Sequence, residues 1–316
     1  MKQLVIGYLS TMYHTSHLIR AHRWLEKELD LRPEWVLFPT GPAMMEAFAG
    51  GSIDLGYIGL PPAMIGIARG IPLICIAGGH AEGTVMIAAR TYQSYNQLNS
   101  IELVLNQFKD KRLGSPTRGS IHDVIIRNLI EENGLDITVD NYTWTDLIPE
   151  AIDAGEIAGA VGTPALAVLG AREYGTATII PPCHLWPFNP SYGIVVRKQL
   201  LADNELLGDF LTLHERACNQ TREHPGEAAA VVSGAVKVVN SRFVMEVFSL
   251  SPKYCAALPE RYRCSTLAFV TPLKKLGYLT GDLSESDIFD TGIIDAIHPE
   301  PDHYSQPARL VSPHRV

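Results

Sequence analysis

The chain repeats itself across the distance of a whole domain. Residues 46–53, Glu-Ala-Phe-Ala-Gly-Gly-Ser-Ile, and the run Gly59-Leu60-Pro61-Pro62-Ala63 return as residues 150–157, Glu-Ala-Ile-Asp-Ala-Gly-Glu-Ile, and Gly162-Thr163-Pro164-Ala165. Glu46 and Glu150 stand 104 residues apart, and Gly59 and Gly162 103, so the second copy reads as one residue shorter. Solenoid arrays repeat every 20–50 residues or so, and a longer period marks duplicated lobes. Each copy reads as helix, glycine turn, short apolar strand, glycine and a helix opened by proline. The expectation is two similar α/β lobes, and a cleft between lobes is a favoured ligand site.

At 316 residues, 46% hydrophobic and 19% charged, the chain is long enough for two cores. A net charge of −8 argues against a general nucleic-acid binder, which needs a basic face to offset phosphate. No apolar run reaches the roughly 18 residues of a membrane span. The strand-like Leu4-Val5-Ile6-Gly7-Tyr8 follows the first residues directly, so no signal peptide is expected in the sequence as written. As written, the chain is expected to be cytoplasmic, or a mature form with a new Met. The five cysteines show no CxxC spacing and no even framework. Cys75 reads as a small core residue; spacing leaves open whether Cys255 and Cys264 pair.

Strands and helices alternate along the first third. Leu4–Leu9, Trp35–Phe38, Ile53–Ile58 and Leu73–Ala77 read as strands, with helices over 16–29, 43–49 and 63–69 between them. That alternation predicts parallel βαβ units. Thr84–Ala89 reads as a strand leaving the first lobe, and Lys111–Gly114 as the start of the second. The proline-rich loop 181–190 precedes Tyr192–Arg197, a strand that recrosses. Crossings near 88–91 and 191–196 would form a hinge. Residues from Pro299 onward read as a frayed tail.

In an open parallel sheet, ligands collect beyond the carboxyl ends of the strands. Here those ends are the loops Ser10–His14, Thr40-Gly41, Gly59-Leu60, Gly79-His80, Ser115–Ser120, Trp144-Thr145 and Gly162-Thr163. Several lead straight into helices, whose free N–H groups and positive dipole end suit an anion. The turn 115–120 combines hydroxyls, a glycine and Arg118, a bidentate oxyanion partner; its other reading is a helix N-cap beside a solvated Arg. His14 and His17, three residues apart, have no carboxylate or cysteine at metal-ligand spacing, so no metal is assigned. His80, after two glycines at a strand end, reads equally as ligand contact or structural residue. Tyr13 and Trp144 stand out among the aromatics by their strand-end positions. GxGxxG, GxxxxGK[ST] and GxSxG are all absent.

Ile6-Gly7-Tyr8-Leu9, Thr40-Gly41-Pro42, Gly50–Gly59, Gly59-Leu60-Pro61-Pro62-Ala63 and Gly78-Gly79-His80 together resemble the substrate-binding proteins of nitrate/sulfonate/taurine-type ABC transporters, in the superfamily of the thiamine-pyrimidine synthase-like proteins. The resemblance implies an α/β type II periplasmic-binding fold, with a mostly parallel sheet in each lobe and a two-stranded hinge. It implies residues 1–89 plus 193–298 in one lobe, 90–192 in the other, and a flexible tail over 299–316. Carried over by position, the ligand-binding residues would be Ser10, Tyr13, His14, Thr40, Gly41, Gly59, Leu60, His80, Thr117, Arg118, Gly119, Ser120, Trp144, Thr163 and Tyr192, with no catalytic residue and no cofactor. The expected partners are a small anionic solute and an ABC permease, with the chain a monomer outside the cytoplasm if it serves a transporter. From the sequence as written, no export signal of the family is expected, and the cysteine-rich stretch of the pyrimidine synthases has no counterpart among these residues. The rival readings are an intracellular enzyme using His14, His80 and His122, and a ligand sensor without turnover.

Overall fold

A computed structural model of the chain describes residues 3–305 and contains two sheets. The first has the order β11-β4-β10-β3-β1-β2, from strands β1 (Gln3–Leu9), β2 (Arg32–Phe38), β3 (Leu55–Ile58), β4 (Leu73–Ala81), β10 (Pro190–Arg197) and β11 (Lys253–Tyr254). The second has the order β7-β6-β8-β5-β9, from β5 (Val85–Ala89), β6 (Arg112–Pro116), β7 (Thr138–Tyr142), β8 (Gly159–Gly162) and β9 (Thr176–Ile180). β1, β2 and β3 are parallel, as are β6, β7 and β8. Every residue of β4 is buried, which fits its continuous apolar run with both faces covered.

The repeat is real in three dimensions, and its register corrects the sequence reading. Strand β3 begins at Leu55 and β8 at Gly159, and the residues that precede the next helices are Gly59 and Thr163, so the offset of 104 holds throughout. No residue is missing from the second copy: Gly162 ends a strand and matches Ile58, not Gly59. Gly51 and Gly155, 104 apart, share the left-handed backbone, with φ of 79° and 72°. Glycine takes that conformation without the Cβ clash other residues meet, which is why the turn kept it in both copies.

Each sheet takes in an antiparallel strand that follows directly from the other sheet, and the first sheet has a second antiparallel strand, β11, at its edge. β5 runs antiparallel between β8 and β9, and β10 runs antiparallel between β3 and β4. The expected boundaries at 89/90 and 192/193 therefore shift. Residues 85–89 pair in the second sheet, residues 190–192 pair in the first, and the crossings are 82–84 and 186–189. Ladder hydrogen bonding, which alternation in sequence cannot reveal, sets that assignment. The crossings are tied together: the Glu82 N–H donates to the Asn189 carbonyl at 2.8 Å, and the Glu82 carboxylate accepts from Phe188 N at 3.0 Å and Lys253 Nζ at 2.7 Å.

Two further expectations change. The helix expected over 16–29 is broken into Ser16–His22 and Trp24–Glu28, because Arg23 adopts a left-handed φ of 58°. The tail is not frayed through residue 305. Tyr304 is buried, and its hydroxyl accepts from Gly79 N and donates to the Ala257 carbonyl, both at 3.2 Å. Residues 306–316 of the expected tail lie outside the described residues. Cys255 and Cys264 are separate free thiols, the first buried and the second exposed. Among the described residues, no helix is long and apolar enough to cross a membrane.

Candidate functional site

The carboxyl ends of the parallel strands in the two sheets face one cavity of about 70 Å³. A water's share of liquid volume is about 30 Å³, so the chamber is compact. Four helices begin at its wall, two from each lobe. Thr40 caps helix Gly41–Ala49, its Oγ1 accepting from Ala43 N at 3.3 Å. Gly59 precedes helix Leu60–Ala68, Ser120 Oγ accepts from Asp123 N at 3.3 Å in helix Ile121–Glu132, and Thr163 Oγ1 accepts from Leu166 N at 3.3 Å in helix Pro164–Glu173. Thr40, Gly59, Ser120 and Thr163 all line the cavity. Each helix N-terminus acts as roughly half a positive charge and offers first-turn N–H groups without intrahelical partners. Among the described residues lining the cavity there is no Lys or Arg, so this backbone field is its positive potential.

Ser10, Thr11, Tyr13 and His14, in the loop after β1, form another part of the wall. The Tyr13 ring stacks on His80 with centroids 4.4 Å apart, and His14 lies 4.2 Å from the Tyr192 ring. Behind them, the Thr15 N–H donates to Tyr192 Oη at 3.3 Å, and Thr15 Oγ1 lies 3.1 Å from His214 Nδ1. His214 Nε2 lies 2.9 Å from the Gly78 carbonyl, an acceptor only. Nε2 therefore carries the proton and Nδ1 accepts from Thr15. The rings are fixed from behind, which orders the loop before any ligand arrives.

Burial disfavours the charged form of the imidazoles at and behind the cavity wall. Burial lowers the His14 pKa well below the usual value, helped by the nearby His17, His80 and His214. Burial alone lowers His122 to about 4, and burial with Lys253 nearby lowers His80 to about 3. His14 is 2% exposed, and its Nδ1 is buried without a protein partner, a polar atom on the cavity wall in want of a bond.

Of the residues expected from sequence, Ser10, Tyr13, His14, Thr40, Gly41, Gly59, Ser120 and Thr163 line this cavity. The others stand elsewhere. Leu60 is fully buried one residue inside its helix, where it joins the core. His80 and Tyr192 are buried behind the wall, with His80 Nε2 donating to the Ser251 carbonyl at 2.8 Å. Thr117 Oγ1 turns to the Tyr142 carbonyl at 3.5 Å, and Trp144 is 56% exposed. Arg118 and Gly119 border a separate surface pocket with Pro42, Glu46 and Tyr278. The Arg118 side chain is exposed, and its Nε donates to Tyr278 Oη at 3.2 Å, away from the chamber. The turn puts the helix N-terminus at the cavity and sends the guanidinium out to the rim. Thr11, Pro39, Pro62, Pro116, Ile121, His122, Thr145 and Ser191 also line the chamber. Most are neighbours of residues already singled out; Ser191 becomes visible only once β10 is known to cross.

The halves meet on both flanks of the cavity. Tyr278 Oη donates to Asp123 Oδ2 at 3.0 Å, and Arg172 holds Glu246 through two bonds of 2.9 and 3.0 Å. A second chamber of about 280 Å³ shares Ser10, Thr11, Thr145 and Thr163 with the first, and is walled by Leu166, Leu169, Val236, Val239 and Phe243.

Two look-alike lobes with exchanged antiparallel strands and a cleft at facing strand ends define the type II periplasmic-binding fold. The alkanesulfonate-binding protein SsuA from Xanthomonas axonopodis pv. citri, bound to MOPS, has this fold with a TM-score of 0.77 at 18% identity, over 92% of this chain and 98% of that one. The periplasmic aliphatic sulphonate binding protein SsuA from Escherichia coli gives a TM-score of 0.76 at 17% identity, over 92% of each chain. The model of the NMT1-like family matches residues 1–236, and the chain belongs to that family. In sequence, it is 42% identical over 60 residues to the "Putative aliphatic sulfonates-binding protein" of Escherichia coli (strain K12). That match spans 19% of this chain and 19% of the Escherichia coli protein.

Proposed function

We propose that the chain is the solute-binding component of an ABC-type importer and holds a small organic anion between its lobes. The observation that carries this reading is the convergence of four helix N-termini, two from each lobe, on one cavity without a basic side chain. Backbone N–H groups and hydroxyls would take the anionic head, and His14 Nδ1 would gain its missing bond. The adjoining chamber is mostly apolar and suits a short aliphatic body. The substrate class is therefore a compact sulfonate or carboxylate with an apolar tail. Closure would desolvate the head, and the Tyr278–Asp123 and Arg172–Glu246 bonds would hold the closed form. A permease would then read the joined surface of the two lobes outside the cytoplasm.

Chemistry by the histidines is disfavoured on physical grounds. A general base works best with a pKa near the operating pH, and burial moves His80 and His122 to about 3 and about 4. The test is calorimetric titration of the purified chain with short alkanesulfonates, carboxylates, and cationic and neutral analogues of equal size, with mass spectrometry for products. Saturable, charge-selective binding of an anion that is recovered intact is expected. Selective binding of a cation, or a converted ligand, would overturn the reading.

A further inference from the structure

Outside the cleft, three buried side chains and one half-buried one converge with no role in anything described so far. Glu215 from helix Asn204–Glu223, Cys255 just after β11, His298 after helix Gly292–Ile297, and His303 beyond it bring one donor atom each within 4.8 Å of one another. Cys255 Sγ lies 3.3 Å from His298 Nε2, which lies 3.4 Å from His303 Nδ1. Glu215 Oε1 is 3.6 Å from His298 Nε2 and 3.5 Å from His303 Nδ1. Metal–ligand bonds of about 2.0–2.3 Å around a tetrahedral centre place neighbouring donor atoms about 3.3–3.6 Å apart. Four of the six separations, at 3.3–3.6 Å, fall in that range, and all six lie within 4.8 Å.

The surroundings settle which atoms are available. The His298 Nδ1–H donates to the Glu300 carbonyl at 3.0 Å, which leaves Nε2 as the ring nitrogen facing the cluster. This is the bond by which a ligating histidine is usually oriented. Glu215 Oε2 accepts from Ala256 N at 2.9 Å, while Oε1 is buried with no hydrogen-bond partner. A buried carboxylate oxygen left without a donor is costly; a cation at the centre would satisfy it. One thiolate, one carboxylate and two neutral imidazoles balance a divalent charge, which suits a buried site.

We propose that Glu215, Cys255, His298 and His303 form a structural site for a divalent cation of the zinc class. With a thiolate and two imidazoles among four closed ligands, the donor set favours zinc over magnesium or calcium. Binding would release the Cys255 thiol proton to solvent. The site would anchor residues 298–305 against the back of the first sheet. There Tyr304 bonds Gly79 N, and the Cys255 N–H donates to the Gly79 carbonyl at 3.2 Å, one residue before His80.

The test uses the full chain, stripped with EDTA, checked for folding by circular dichroism, and titrated with Zn²⁺ or Co²⁺. One equivalent should bind and raise Tm by several degrees. Cobalt should give the intense visible bands of a tetrahedral centre and a near-ultraviolet thiolate-to-cobalt band. Cys255→Ser should abolish that thiolate band, whereas Cys183→Ser and Cys264→Ser, at exposed thiols, should leave it intact. His303→Ala changes a side chain near the surface and should lower affinity at least about tenfold while the metal-free fold persists, so it decides the matter even if the Cys255 variant fails to fold. Folded wild-type chain that takes up no metal, or uptake with unchanged affinity in His303→Ala, would overturn the proposal. A thiolate band that follows Cys183 or Cys264 would do the same.

Discussion

Lowering the pH should unfold this protein through histidines that burial keeps uncharged. His80 is fully buried with its pKa lowered to about 3 by desolvation, and His17 is held at about 4 by burial and the nearby Arg20. In the unfolded chain both return to about 6.5. Between that value and the folded pKa, the unfolded state binds a proton that the folded state does not. Stability is therefore fully present above about pH 7, falls as the pH drops toward 4, and levels off below the folded values. Each such histidine contributes a slope of up to about 1.4 kcal/mol per pH unit, or about 2 kcal/mol between pH 7 and 5. The two together cost on the order of 4 kcal/mol, a large share of the stability of a typical protein. His122 and His214, each lowered to about 4 by burial, act in the same direction. The decisive quantity is thus a difference between variants. In His80→Gln, a side-chain amide replaces the Nε2 donor to the Ser251 carbonyl but does not titrate. Urea unfolding at pH 7 and pH 5 should show a smaller loss for this variant than for wild type, by about 2 kcal/mol. Equal losses in both proteins would refute the assignment of a buried neutral imidazole at position 80.

Tyr278→Phe removes the hydroxyl that reaches Asp123 across the rim, so the closed form becomes less populated and apparent ligand affinity should fall by up to about tenfold in calorimetry. Arg118→Ala should change affinity by less than about fivefold, because its bond to Tyr278 is exposed and remote from the cavity. A larger loss would restore a direct role for that guanidinium. Ser120→Ala and Thr163→Ala each remove a helix cap at the cavity wall and should cost about 1 kcal/mol of stability by chemical denaturation. Gly79→Ala should lower Tm sharply, because the added Cβ would sit 2.1 Å from Tyr192 Cε2 in a buried stack, where overpacking costs about 1–3 kcal/mol or more.

Much of the fold is legible along the chain because its signals are local. The glutamate–glycine–isoleucine repeat, the alternation of apolar strands with helices, and the residues Thr40, Ser120 and Thr163 before helices each report on a few neighbours. Those signals mark strand ends, and strand ends hold most of the chamber wall, so Ser10, Tyr13, His14, Gly41 and Gly59 could be named without coordinates. What a loop residue does once placed there was less legible. Arg118 shares its turn with Ser120, yet one faces the rim and the other the cavity.

By itself, then, the sequence determined two repeated α/β halves and a set of helix starts suited to an anion, since helix, turn and cap chemistry acts over a handful of residues. Only the tertiary structure decided which strands change sheets, that His80 and Tyr192 back the wall, and that the chain returns Tyr304 beneath Gly79. It alone gathered Glu215, Cys255, His298 and His303. Apart from the neighbouring His298 and His303, these arrangements join residues 40 to more than 200 positions apart, where ladder pairing and close packing choose the partners and no local pattern records the choice.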